Sequence, residues 1–157
     1  MAAENRIFGV EIITPDRIFY RGRAMMIEFN TVAGILGVYR NHIPLTTVLA
    51  PGIVRIHSCG GEGSGETSPD HQEQMRVPVG KDENIIAAVH SGFVEILPDR
   101  VTLLAEIAEW PDEIDKNRAE AARERAEKRL ADRADTTDIK RAELALRKAL
   151  VRIDIVK

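Results

Sequence analysis

The amino-acid composition of the chain changes abruptly at Trp110-Pro111. Residues 111–157 contain one proline, at their start, and no glycine, while alanine, leucine, glutamate, lysine and arginine dominate. Pro111 suits a first helical position, and Asp112, Glu113 and Asp115 suit the positive end of a helix dipole. The change predicts two units, residues 1–109 and a helical unit over residues 110–157.

The helical unit contains two stripes of small and apolar side chains. The first stripe is Ala119, Ala122, Ala126 and Leu130, and the second is Ile139, Ala142, Leu146, Ala149 and Ile153. The segment 135–138 interrupts the pattern and offers helix caps, which predicts an antiparallel two-helix hairpin. Alanine buries little apolar area, and burial stabilises by about 25 cal/mol per Å². We therefore expect a hairpin that can detach from the first unit.

Residues 6–105 contain short apolar segments separated by turn residues. Two early runs begin at Ile7 and Ala24, and the later segments are 53–57, 76–79, 84–90, 92–97 and 101–105. Short strands at close spacing favour an antiparallel sandwich or barrel. The fold class predicted for the whole chain is mainly β plus α, with an N-terminal antiparallel β-sandwich followed by the helical hairpin.

The stretch 34–52 joins two apolar runs through the polar residues Arg40, Asn41 and His42. Glycines and prolines stand at nearly every corner of this stretch, and they favour bends. We expect a bent loop between strands that holds His42 in a set place. The alternative is an ordinary turn with a surface histidine.

Several of these segments together resemble the epsilon subunit family of rotary proton-translocating ATP synthases. The resemblance rests on the runs 34–38, 41–47, 49–56, 91–96 and 100–105, in order and spacing. It implies a non-catalytic central-stalk subunit that couples proton flow to ATP synthesis by linking the shaft (gamma) subunit to the membrane c-ring. It also implies that the helices inhibit ATP hydrolysis. The alternative is a free-standing β-sandwich binding module with a helical oligomerisation stalk.

The resemblance also assigns candidate residues at the start of the hairpin. Residues 114–119 match a motif with which some family members bind ATP, and the further family positions are Glu109 and Arg125. The implied ATP-binding set is Glu109, Asp115, Arg118 and Arg125, with ATP as a possible regulatory ligand and no required cofactor. Arginines suit phosphate oxygens, and carboxylates accept from ribose or adenine donors. The alternative is a helix start capped by Asp115.

Two further surfaces follow from the resemblance. The family's rotor-docking loop corresponds here to Ile35, Arg40, Asn41 and His42, although Arg40-Asn41 replaces the usual Pro-Gly and Ile35 replaces a frequent polar or acidic residue. Residues 140–157 carry six basic and two acidic side chains, so 6 − 2 = +4. The family expectation is that this charge meets acidic surfaces of the catalytic alpha and beta subunits, through Lys140, Arg141, Arg147, Lys148 and Arg152.

Other functions are disfavoured by what the sequence does not combine. No nucleophile, base and orienting acid occur together, so we expect no enzyme, and the scattered histidines (His42, His57, His71 and His90) are interpreted as surface or capping residues without metal spacing. Gly60 and Gly65 imitate a phosphate-binding loop, but Glu66 stands where that motif needs lysine. The enclosing segment 58–76 is predicted to be an enlarged hairpin tip.

Charge and hydropathy set the expected location. A net charge of −3 gives no support for nucleic-acid binding. No run of residues has the length and apolar character of a membrane span, and residues 1–6 lack the order of a signal peptide. A single cysteine, Cys59, fits a reducing compartment. We expect a peripheral subunit on the cytoplasmic face of the cell membrane, without direct membrane insertion.

Overall fold

The computed structural model describes residues 6–58, 84–132 and 138–157. The predicted strand 76–79 and nearly all of the predicted hairpin tip lie outside these residues, as does most of the break at 135–138. The described residues form ten strands and two α-helices. The strands are β1 Phe8–Ile13, β2 Ile18–Ala24, β3 Met26–Thr31, β4 Gly34–Tyr39, β5 Leu45–Leu49, β6 Gly52–His57, β7 Asn84–Val89, β8 Gly92–Ile96, β9 Arg100–Ala105 and β10 Ala108–Glu109.

The strands form two layers, which confirms the predicted sandwich. One layer runs β4-β3-β6-β7-β10 and the other β5-β8-β9-β1-β2, and the layers join where Thr31 of β3 pairs with Leu49 of β5. Among the described strands, all pairs are antiparallel except β1 with β9, which pair in parallel from Gly9 opposite Arg100 to Ile13 opposite Leu104. Parallel neighbours need a long connection, and here most of the sandwich lies between the two strands in sequence.

Alternating side chains from both layers fill the core. Along β1, every second residue is buried, because successive side chains of a strand point to opposite faces. The largest fully buried side chains include Ile12, Phe19, Ile27, Phe29, Ile56, Ile96 and Leu103. Trp110, the first residue of the predicted helical unit, also contributes to this core. Its ring stacks on Phe19, with centroids 4.1 Å apart and planes inclined by 21°.

The predicted loop over residues 34–52 is wrong in extent. Most of it is β4 and β5, and only residues 40–44 form the connection between them. The glycines do not bend the chain throughout: a Cβ on Gly37 would lie 3.0 Å from the Met26 Cε atom, so this glycine permits a close strand contact. The sharp turn falls at Asn41, whose φ of 64° is left-handed and whose N–H donates to the Pro98 carbonyl (2.7 Å).

The helical part consists of a 3₁₀ turn, Pro111–Glu113, followed by α1 Lys116–Asp132 and α2 Ile139–Ile155. The prediction that the first α-helix starts at Pro111 is therefore wrong by one turn, because Asp115 rather than Trp110 caps α1. The helices pack against each other, and their short connection makes them antiparallel. Of the two α-helices in the described residues, α2 packs more closely on the sandwich, against β6 and β7.

Alanines dominate the helix–helix contact, as the stripes predicted. The buried residues of the two helices are Ala119, Ala126, Ala142, Ala149, Ile153 and Ile155. Ile139, placed in the second stripe, is 52% exposed because it is the first residue of α2, directly after the Asp138 cap. The interface therefore consists mainly of methyl groups.

Candidate functional site

A cavity of about 310 Å³ lies where the sandwich meets the two helices. Its lining combines side chains from β10, the 3₁₀ turn, α1 and α2: Glu109, Glu113, Ile114, Asp115, Arg118, Ala119, Ala122, Arg125 and Arg152. The structure thus brings together all four residues of the ATP-binding set that the resemblance implied. The volume is at the lower end of the range for small-molecule sites.

Asp115 and Arg118 lie at the start of α1, where backbone hydrogen bonds fix their positions. The Asp115 carboxylate accepts a hydrogen bond from the Arg118 backbone N–H (3.1 Å), and its carbonyl accepts from the N–H of Ala119 (3.0 Å). Asp115 is therefore the N-cap of α1, as the alternative interpretation required. Arg118 and Arg125 are seven residues apart, so they share one helix face two turns apart. The cap and the cavity use the same residues and do not exclude each other.

Glu109 is the most strongly bound acid of the cavity. Its Oε2 accepts from Arg152 Nε (2.7 Å) and lies 2.9 Å from His90 Nε2. Partial burial acts to raise the pKa of Glu109, but the hydrogen bonds and positive charge of His90 and Arg152 outweigh it and lower the pKa to about 2. Glu109 is therefore ionised at physiological pH and links α2 to β10 and the end of β7.

Glu113 is also engaged by neighbouring residues. One of its oxygens accepts from Arg17 (2.8 Å) and the other from the backbone N–H of Trp110 (2.9 Å).

Arg118 and Arg125, in contrast, form no ion pair with any residue in the described ranges. Two unpaired guanidinium groups therefore border the cavity, and such groups suit the oxygens of a phosphate or carboxylate ligand.

Arg152 was assigned from the sequence only to the inhibitory surface, yet it lines the cavity. Lys148, one turn earlier on α2, also faces the sandwich, with Nζ 3.7 Å from Glu106 Oε2. Arg152 lies 43 residues from Glu109 in sequence, so no local pattern could have suggested this pairing. The other three residues of the inhibitory set, Lys140, Arg141 and Arg147, are exposed.

The interpretation of all histidines as surface or capping residues is wrong for His90. Its side chain is completely buried, because it follows β7 and faces the short strand β10. His57 is half-buried and lies 3.2 Å from Glu28 on the neighbouring strand β3. Within residues 6–58, 84–132 and 138–157, no three histidine, cysteine or acidic side chains converge as a metal site would require.

The predicted docking residues do not form one cluster, because Ile35 lies near the start of β4 and Arg40, Asn41 and His42 lie in the turn after its end. Ile35 on β4 is 71% exposed, while Arg40 donates to the carbonyl of Ile7 (3.2 Å) and so anchors the turn that carries Asn41 and His42. Apolar neighbours extend this surface. We call the exposed set the apolar face: Val32, Ile35, Val48 and Phe93.

Backbone contacts make three members of the apolar face adjacent. Val48 of β5 is directly opposite Phe93 of β8, and the Val32 N–H donates to the Val48 carbonyl (3.2 Å). Contiguous exposed apolar side chains on a sandwich mark an interaction surface more often than scattered ones do.

In the part of the chain that the structure describes, no helix has the length and hydropathy needed to cross a membrane.

A β-sandwich with an attached helix pair, a polar junction cavity and an exposed apolar face defines a binding or assembly subunit. Two family models match the chain: the ATP synthase delta/epsilon chain β-sandwich domain over residues 7–66, and the long α-helix domain of the same chain over residues 112–157. ATP synthase epsilon chains are similar over nearly the whole length. The relative from Shouchella clausii is 43% identical over 94% of this chain and 93% of its own, and that from Halalkalibacterium halodurans is 42% identical over 93% and 94%.

Solved structures share the fold at lower identity. A chain of the Euglena gracilis mitochondrial ATP synthase (OSCP/F1/c-ring) is 18% identical, with a TM-score of 0.71, over 96% of this chain and 81% of its own. A chain of the Tetrahymena thermophila central stalk and c-ring is 15% identical, with a TM-score of 0.52, over 96% of each chain. The chain belongs to the ATP synthase epsilon chain family. The family resemblance is confirmed, and the chain is a non-catalytic subunit of ATP synthase.

Proposed function

We propose that the sandwich links the shaft (gamma) subunit to the membrane c-ring, and that the helices regulate ATP hydrolysis by the alpha and beta subunits. The complex would place the chain peripherally on the cytoplasmic face of the cell membrane. The observation that carries the proposal is the attachment of α2 to the sandwich through Lys148–Glu106 and Arg152–Glu109. The basic residues that hold the helix in place belong to the set expected to contact the catalytic subunits. We call this arrangement the docked state.

The apolar face supports the linking role of the sandwich. Val32 and Ile35 are 72% and 71% exposed, so covering them with a partner removes apolar area from water. Replacing Val32 and Val48 with serine should weaken capture of the shaft subunit, while the melting temperature of the chain changes little. Leu144→Ser, at an exposed position of α2, is the matched control. Undiminished capture by the double variant would move the docking surface elsewhere.

The regulatory role rests on a small free-energy difference between docked and released helices. Release would expose Lys148 and Arg152 and add them to the exposed Lys140, Arg141 and Arg147. The released, more basic α2 would then complement an acidic partner surface. Because two ion pairs and a small contact of α2 with β6 and β7 hold the docked state, a partner of moderate affinity could shift the population.

Within this proposal, ATP is the ligand of the junction cavity. Arg118 and Arg125 would bind phosphate oxygens, and the acidic side of the cavity would accept from ribose or adenine donors. Arg152 belongs to α2 and also lines the cavity. A nucleotide that contacts residues of α1, α2 and β10 together would therefore favour the docked state, and inhibition would deepen as ATP falls.

Thermal unfolding tests the nucleotide part of the proposal. ATP at a hundredfold excess over its dissociation constant should stabilise the isolated chain by about 2.7 kcal/mol. Arg118→Ala should abolish this shift. Arg129→Ala, on the same helix but outside the cavity, should retain it. If millimolar ATP leaves the melting temperature of the native chain unchanged, the cavity is not a nucleotide site.

Hydrolysis by the reconstituted complex tests the regulatory part. A chain that ends at Trp110 should raise the hydrolysis rate, since it lacks both helices. Joint replacement of Lys140, Arg141 and Arg147 by alanine should give much of the same increase, without touching the cavity or the ion pairs to the sandwich. High salt should relieve inhibition in the native complex by screening. Equal rates for all three chains would contradict the regulatory role.

A further inference from the structure

His90 is buried in a way that simple space filling does not explain. Its side chain is fully excluded from solvent, and Nε2 lies 2.9 Å from Glu109 Oε2. Only a protonated Nε2 can bond to a carboxylate oxygen, so Nε2 is the donor. Nδ1 is buried and has no hydrogen-bond partner among the described residues. An unmet buried polar atom is unfavourable, and an apolar residue of similar size would avoid it.

The hydrogen bond of His90 fixes the carboxylate that holds α2. Arg152 and His90 both bind Oε2 of Glu109, at 2.7 and 2.9 Å. In the part of the chain that the structure describes, no donor binds the other oxygen, Oε1. The two donors therefore fix the position of the Glu109 side chain. Because Glu109 also lines the junction cavity, the residue that anchors α2 belongs to the candidate ligand site as well.

We propose that His90 is a positioning residue that couples docking of α2 to occupation of the junction cavity. It holds the Glu109 side chain in the position in which one carboxylate oxygen receives both His90 and Arg152. Without this donor the Glu109 side chain can adopt other rotamers, and Arg152 loses a fixed partner. The effect on α2 follows from the docked geometry alone, whereas the identity of the ligand as a nucleotide rests on the proposed function.

The experiment compares two replacements of His90 in the full-length chain. His90→Gln keeps an N–H donor near the Nε2 position, and His90→Leu removes the donor and the unmet Nδ1 together. Spin labels on Glu95→Cys and Ala145→Cys, both exposed, report the distance between β8 and α2 in a Cys59→Ser background. Distance distributions along a urea series below the unfolding of the sandwich give the ratio of docked to released chains.

His90→Leu should lower the docked-to-released ratio about tenfold, the effect of losing one hydrogen bond to a charged group. His90→Gln should stay within about twofold of the native chain. Melting of the sandwich should not fall in His90→Leu, because the replacement removes a buried unsatisfied atom. If His90 only filled space, its replacement would lower the stability of the sandwich and would not selectively weaken docking.

A double-mutant cycle with Arg152→Ala gives the sharpest result. If His90 acts through the Glu109–Arg152 contact, His90→Leu should change docking little once Arg152 is absent. Additive effects would overturn the proposal, as would native docking in His90→Leu or equal losses in His90→Leu and His90→Gln. A separate measurement determines the docked-to-released ratio of the native chain with millimolar ATP. If ATP leaves the native ratio unchanged, the nucleotide assignment fails, while the cycle still decides the role of His90.

Discussion

The sandwich and the helix pair are held together by different kinds of contact. The sandwich buries aromatic and branched side chains such as Phe19, Phe29 and Ile56, whereas the helices bury mainly Ala119, Ala126, Ala142 and Ala149. Full burial of a large apolar side chain contributes about 1.5–3 kcal/mol, and a single methyl or methylene group contributes about 0.8 kcal/mol. One chain therefore combines a rigid scaffold, the sandwich, with an appendage, the helix pair, whose position is more easily changed.

Polar contacts determine where the appendage sits. α2 is bound to the sandwich through Lys148–Glu106 and Arg152–Glu109, and the latter pair borders the cavity. Apolar burial has no direction, whereas ion pairs and hydrogen bonds require particular partners. A ligand or a partner surface that competes for these side chains can therefore change the position of α2 without unfolding the sandwich.

Trp110→Ala should have the largest effect and would sharpen the boundary between the two regions. The ring stacks on Phe19 inside the sandwich, so its removal leaves a cavity in the scaffold. We expect the free energy of unfolding to fall by about 3–5 kcal/mol. Trp110→Phe is the control and should lose less, because a ring remains. Urea denaturation measures the free energy of unfolding. A loss below about 1 kcal/mol, one-third of the smallest expected loss, would place Trp110 outside the core.

Ala149→Leu addresses the small-residue contact of the helices. Ala149 is 1% exposed, so the added atoms of leucine would have to displace the neighbours that bury it. Overpacking should destabilise the helix pair by about 1–3 kcal/mol and leave the sandwich unchanged. Ala145→Leu, on the exposed face of α2, should have almost no effect. Circular dichroism at the helical minimum separates the two regions, and equal melting curves for both variants would contradict close alanine packing.

Glu109→Gln tests the polar attachment through its pH dependence. The pKa of Glu109 is lowered from 4.5 to about 2, so its stabilising contribution is complete above pH 4.5 and is lost as the pH falls towards 2. Glu109→Gln should lack this loss and should weaken docking at neutral pH by about 1–2 kcal/mol. Glu95→Gln, an exposed change on β8, serves as control. Parallel pH profiles for the native chain and Glu109→Gln would refute the attachment.

Asn41→Ala should have the smallest effect and lies within the scaffold. The left-handed φ of 64° disfavours residues with a Cβ, and asparagine tolerates it better than alanine. Replacement by alanine should lower the unfolding free energy by about 1 kcal/mol, while Asn41→Gly should leave it nearly unchanged. The same chemical denaturation series measures both. If alanine and glycine behave alike, the turn does not require this backbone conformation.

The sequence predicted the scaffold better than its details. Short apolar segments bounded by turn residues correctly indicated β1, β3 and β6 to β9, because branched side chains at alternate positions favour strands. The strands β4 and β5 were missed because Gly34, Gly37 and Pro44 suggested bends. Gly37 instead allows a close approach to Met26 on β3, and that contact depends on pairing rather than on local sequence.

Only part of the cavity was predicted, because some of its residues come together through long-range contacts. Asp115, Arg118 and the nearby Glu109 and Arg125 lie close together in sequence, so a local motif could indicate them. Arg152 and His90 reach Glu109 from 43 and 19 residues away. Their roles depend on how α2 and β7 meet β10, a two-residue strand that carries no periodic signal. Long-range packing was therefore the part that residue patterns could not supply.

Native-state hydrogen exchange of the isolated full-length chain shows whether the helices leave the sandwich in a separate step of low free energy. Amides in the interior of α2 should exchange through an opening that costs several kcal/mol less than the opening of β1 and β9. Millimolar ATP should raise the protection of α2 and leave that of the strands unchanged. A single opening free energy for helices and strands would contradict release of the helices in a separate step.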